Sequence, residues 1–148
     1  MVGTQEGQIE QINKGCTLER RHHGQMVIFT ITDARHETLE SYLAKGEQVV
    51  HDHPSDRPLY MLNDCSHPNV SLTPYFRERL NNMVEFLKRE DKTMYLAIVP
   101  PNTLFFRIFV LFMNMYGQRV RDVKMTQRAF ANRTEALQWL EGNLQKEG

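Results

Sequence analysis

Two cysteines in 148 residues, Cys16 and Cys65, with no repeated spacing, provide neither a disulfide framework nor a zinc ribbon. Their scarcity suits a reducing compartment. Net charge is equally absent. Eighteen Lys and Arg balance eighteen Asp and Glu, so no long-range field draws the chain to nucleic acid or to anionic lipid. The opening MVGTQEGQIEQINKG has no apolar stretch and reads as neither signal peptide nor anchor. Residues 1–15 are expected to be a flexible lead, and the location to be cytoplasmic. There is no internal repeat, low-complexity tract or long linker, so 16–148 reads as one domain. No GxSxG elbow, P-loop or dinucleotide glycine pattern occurs, and nothing calls for a cofactor.

What is present alternates between short apolar strands and helical patterns. The runs 16-CTLERR-21 and 25-QMVIFTIT-32 flank 22-HHG-24, where Gly24 permits a positive φ, and read as an antiparallel hairpin. Leu39, Tyr42, Leu43, Val49 and Val50 fall at helical spacing over 36–51, with Gly46 weakening the helix and Pro54 just beyond it. The segment 58-PLYMLND-64 reads as a buried strand. Thr73 and Pro74 then open a helix over 74–90 as N-cap and first-turn residue. Phe76, Leu80, Met83, Val84 and Leu87 mark its apolar face. A strand at 93–99, a segment from 103 to 117 and a strand at 123–130 follow. The closing helix at 132–140 is capped by Asn132 with Glu135 three residues on. The order β-β-α-β-α-β-α-β-α implies right-handed crossovers and a mainly parallel mixed sheet.

Three stretches carry a resemblance: 58-PLYMLNDCS-66, 72-LTPYFRERL-80 and 130-FANRTEALQWL-140. Together they resemble the STAS domain family, and its SpoIIAA-like branch, related in fold to the CRAL-TRIO domains, most closely. The likeness covers roughly residues 16–142. It implies a non-enzymatic module. In the anti-sigma factor antagonist branch it implies a regulator of protein interaction, switched by phosphorylation of a serine at the start of the second helix. Here the corresponding 71-SLTPYF-76 lacks the Asp-Ser-Ser-Gly pattern. Ser66, Ser71 and Thr73 are the candidate phosphoacceptors, since a phosphate there would meet a helix N-terminus. For Thr73 the expected role is a plain N-cap.

The most unusual stretch is 104-LFFRIFVLFMNMYG-117, whose first thirteen residues include only Arg107 and Asn114 as polar groups. As a helix it would span about 20 Å against about 30 Å of hydrocarbon, too short to cross a bilayer. Phe105, Phe106, Phe109, Phe112, Met113 and Tyr116 cannot all face one sheet at 100° per residue. Four fates are open: burial beneath other elements, a homodimer seam, the wall of a pocket for an apolar small molecule, or contact with a membrane surface. The resemblance favours the last two, because SpoIIAA-like proteins have been considered binders of apolar ligands or membranes. Arg107 would then meet a headgroup or carboxylate, or simply snorkel to water. A peripheral membrane position goes with that reading.

Two further constellations are weaker. His51, Asp52, His53 and Asp56 offer ligand types at close spacing, with His67 and Asp64 as distant additions. A structural metal site needs about four ligands converging from more than one segment, and a solvated helix end is the expected reading, with no metal. Cys65, Ser66 and His67 place thiol, hydroxyl and imidazole side by side, but nucleophilic catalysis needs contact geometry rather than adjacency. Cys65 is expected to be a small buried hydrophobe, with Asp64 and Asn63 organising the loop.

Overall fold

A computed structural model describes residues 8–71, 73–101 and 124–147. The chain is a single α/β domain built on one six-stranded mixed sheet. Its strands are β1 (Ile9–Asn13), β2 (Cys16–Arg21), β3 (Met26–Ile31), β4 (Leu59–Asp64), β5 (Met94–Val99) and β6 (Met125–Ala129), side by side in that order. Antiparallel pairing joins β1 to β2 and β2 to β3, and parallel pairing continues from β3 to β6. The α-helices among the described residues are α1 (His36–Asp52), α2 (Pro74–Glu90) and α3 (Arg133–Glu147).

Side chains of successive strand residues alternate between the two faces of the sheet, and each face has its own core. Leu18, Val27, Phe29, Ile31, Leu59, Met61 and Met94 pack beneath Leu39, Tyr42, Leu43 and Val50 of α1 and Phe76 and Leu87 of α2. Phe29 and Tyr42 meet edge to face with ring centroids 5.3 Å apart. On the other face Met26, Ile28, Tyr60, Leu62, Ala97 and Val99 are covered by Ala136 and Leu140 of α3. Tyr60 stacks on Tyr95 at 5.0 Å, and Trp139 lies against Tyr95 at 6.2 Å and Phe130 at 5.5 Å. The helix faces expected for 36–51 and 132–140 are the buried ones.

The hairpin forms where the sequence places it. Its turn takes His22, His23 and Gly24 all to positive φ (54°, 57° and 87°), the region where only glycine is unstrained. Gly46 does not interrupt α1. A Cβ there would meet only Met83 Cε of α2, at 3.6 Å, so the small residue is not sterically required.

Two differences from expectation stand out. Residues 9–13, within the expected flexible lead, form the edge strand β1. Asn13 Oδ1 accepts from the Gly15 amide at 3.2 Å and from the Thr38 hydroxyl at 3.4 Å, tying the β1–β2 turn to α1. A Cβ on Gly15 would lie 2.3 Å from Asp33 Oδ2 and 2.8 Å from Thr38 Oγ1, so any larger residue would have to push those side chains aside. The closing helix also runs on to Glu147, where Leu144 extends its contact with the core.

Candidate functional site

In a parallel sheet, loops that carry function gather at the carboxyl ends of the strands. Here that end is built from the ends of β3 and β4, the 65–73 loop and the start of α3. Register sets Thr30 of β3 opposite Asp64 of β4, both on the α3 face. Arg133, the first residue of α3, donates through Nη1 to Thr30 Oγ1 and to Asp64 Oδ2, both at 3.1 Å. Its Nη2 stands 3.7 Å from Glu19 Oε1, and Glu19 Oε2 also takes Arg21 Nε at 2.7 Å. Asp64 and Glu19 are buried, so two carboxylates are held out of water by shared guanidinium groups, as such burial requires.

The other oxygen of Asp64 organises the loop. Asp64 Oδ1 accepts the Ser66 amide at 3.1 Å and the Ser66 hydroxyl at 2.6 Å, an Asx turn at the strand end. His67 Nδ1 accepts the Asn69 amide at 3.1 Å, and the Val70 amide donates to the His67 carbonyl at 3.0 Å. The Cys65 amide donates to the Val99 carbonyl at 2.8 Å. The loop therefore begins beside Pro100 and Pro101, where the chain leaves β5.

The three candidate hydroxyls fare differently. Thr73 Oγ1 accepts the Phe76 amide at 3.1 Å and caps α2, with Pro74 at the first helical position. Ser66 is exposed but its hydroxyl is committed to Asp64. Ser71 is exposed, two residues ahead of the cap. Thr73→Ala is expected to cost about 1 kcal/mol through the lost cap, whereas Ser71→Ala stays within about 0.5 kcal/mol. Urea denaturation of the two variants checks the contrast.

Cys65 faces the α1–α2 core while His67 stands exposed in the loop, so the structure does not bring thiol and imidazole together. Burial, with Asp64 next, pushes the Cys65 thiol up to about 12, and burial pushes Cys16 up to about 11. Neither presents a thiolate near neutral pH. A disulfide between them is excluded by register. Cys16 pairs with Ile31, and Cys65 lies on Ile31's far side, two strand spacings or roughly 9.5 Å from Cys16, beyond the reach of about 7 Å. Near Cys65, Asn63 Oδ1 is buried without a hydrogen-bond partner among the described residues.

The 51–56 ligand set does not converge. His51 Nδ1 meets Glu90 of α2 at 2.8 Å. His53 is turned inward, its Nε2 shared between the carbonyls of Arg57 at 3.0 Å and Pro58 at 3.1 Å. Burial holds its pKa below the ordinary histidine value, keeping the ring neutral. Among the described residues no three His, Cys, Asp or Glu side chains gather as a metal site.

Phe105, Phe106, Arg107, Phe109, Phe112, Met113 and Tyr116 lie outside the described residues. Among the described residues, no helix is long and apolar enough to cross a membrane. Sequence reasoning missed Arg133 and Glu19. The available signal was an Arg in the first turn of a helix, where its charge opposes the macrodipole unless an acidic partner offsets it.

The fold and this strand-end site define a single α/β domain with a mixed sheet. Comparison with protein-family models, with curated proteins and with solved structures gives no match to the chain.

Proposed function

We propose that the protein is a non-catalytic, STAS-like binding module that uses the 103–117 stretch, whose 104–116 segment is apolar, and the 65–76 loop to bind a lipid-like ligand. The observation that carries this reading is the sequence of that segment, with eleven of thirteen residues apolar. The strand-end site supports it. Its ionisable groups are pinned to one another, its thiols are buried and protonated, and the loop stays anchored where the chain runs on toward residue 104. Removing even about 300 Å² of apolar surface from water would supply about 7 kcal/mol before the costs of association. A membrane surface and a homodimer seam are the other partners of the same apolar area.

The test is uptake of a fluorescent fatty acid by delipidated protein, with vesicle co-sedimentation and size-exclusion chromatography alongside. Saturable uptake is expected, reduced at least about tenfold, or about 1.4 kcal/mol, by Phe109→Asp with Phe112→Asp. Vesicle binding or dimerisation lost in the same variant would move the partner without moving the surface. A monomer that takes up no fatty acid and ignores vesicles overturns the reading.

A second reading, a phosphorylation-controlled regulator of the anti-sigma factor antagonist type, is favoured by the exposure of Ser71 ahead of α2. A partner-dependent phosphate on Ser71, seen by mass spectrometry and lost in Ser71→Ala, would favour it over lipid binding.

A further inference from the structure

A cavity of about 230 Å³ opens at the end of the sheet opposite Asp64. Its walls come from Arg20 of β2, the His23–Gly24 turn, Lys45, Gln48 and Asp52 of α1, and Arg57 of the loop that follows. The wall is fixed before any ligand arrives. His53 holds the carbonyls of Arg57 and Pro58, and Gln25 Nε2 donates to the Pro58 carbonyl at 3.3 Å. Lys92 Nζ donates to the carbonyls of His51, at 3.1 Å, and His53. The left-handed turn at His23 and Gly24 forms the facing side.

The charges are unequal in weight. Lys45 and Arg20 are 20% and 29% exposed, and both lean on the single carboxylate of Glu10, at 3.3 and 2.9 Å, so the trio carries one net positive charge. Arg57 stands 3.7 Å from Asp56, and both are largely exposed, so that pair is weak. Asp52 also lines the cavity, but it too is exposed and acts through water, where charge is screened most. The carboxyl end of α1 would repel an anion, and the Lys92 ammonium on its last carbonyls offsets that. The half-buried charges therefore set a positive potential inside.

We propose that this cavity is a binding site for a small oxyanion, either free phosphate or the phosphoryl group of a small monoester. Its volume of about 230 Å³ falls below the roughly 300–1,000 Å³ of drug-sized ligand sites and suits a small group. Lys45 and Arg20 would meet the oxyanion from the sheet and α1 side, and Arg57 from the rim. The site is independent of the apolar surface and of its partner.

The test is titration of the full chain with inorganic phosphate, glycerol 3-phosphate and acetate against chloride at matched ionic strength, followed by thermal midpoint and calorimetry. Saturable stabilisation by phosphate or glycerol 3-phosphate, beyond acetate and chloride, is expected. The tighter of the two identifies the natural form. Lys45→Gln should weaken binding at least about fivefold, Arg57→Gln about twofold to threefold, and Asp52→Asn should tighten it. Arg57 and Asp52 are exposed, so those two variants keep the fold intact even where Lys45→Gln loosens the contact to β1. Equal response to phosphate and chloride, or phosphate affinity unchanged in both Arg57→Gln and Asp52→Asn, overturns the proposal.

Discussion

Phe29→Ala should remove about 3–5 kcal/mol of stability, the largest effect of any single change considered. Phe29 is fully buried on β3, a central strand, where it packs edge to face on Tyr42 in the α1–α2 core. Truncation empties the space where α1 crosses the sheet, and close-packed neighbours refill such a void only in part. Domains of this kind are stable by only about 5–15 kcal/mol, so the variant would keep little margin. With a urea slope of about 1–3 kcal/mol per molar, the midpoint should fall by roughly 2 M. Phe29→Leu retains most of the volume and should lose less than half as much. Equal losses in the two variants would show that the aromatic contact, not the cavity, sets the cost.

Arg133→Met comes second, at about 2–3 kcal/mol. The substitution keeps the stem but removes the guanidinium from Asp64 and Thr30 and from the edge of Glu19. A buried carboxylate without its cation normally costs more. Arg133 is 37% exposed, however, so water screens part of the loss, and Ser66 and Arg21 still serve the two acids. Partial rescue separates this cause from simple packing. Combined with Asp64→Asn, the same change should cost at least about 1 kcal/mol less than alone, because the neutral amide no longer demands a counter-charge. Denaturant melts of the four proteins close the cycle, and strict additivity would remove the ion pair from the account.

Much of the fold was legible because its signals are local. The hairpin turn, the Thr73–Pro74 start of α2, the Asn132 cap and the 3.6-residue spacing of Leu39, Tyr42, Leu43 and Val50 each depend on a few neighbouring residues. Strand β1 was not legible. IEQIN has only Ile9 and Ile12 as apolar residues, so it lacks the apolar pattern of a strand and becomes one through backbone pairing with β2 and through Asn13, which reaches Thr38 of α1. The strand-end site follows the same rule. Asp64 was readable as a loop organiser, but its partner is Ser66, two residues on, and not the expected Asn63, which faces the α1–α2 core. Arg133, Thr30 and Glu19 come from three other places and meet only once the sheet is assembled. The basic cavity needed still more, since Lys45, Arg20 and Arg57 lie on three separate elements.

The second core has a consequence for how the molecule is made. Among the described residues, Tyr60, Leu62, Ala97 and Val99 find their cover in α3, which follows all six strands in the chain. On the ribosome one greasy flank of the half-built sheet therefore lacks this helix until residues 133–147 emerge. A chaperone that shields that flank would have its longest opportunity in this interval.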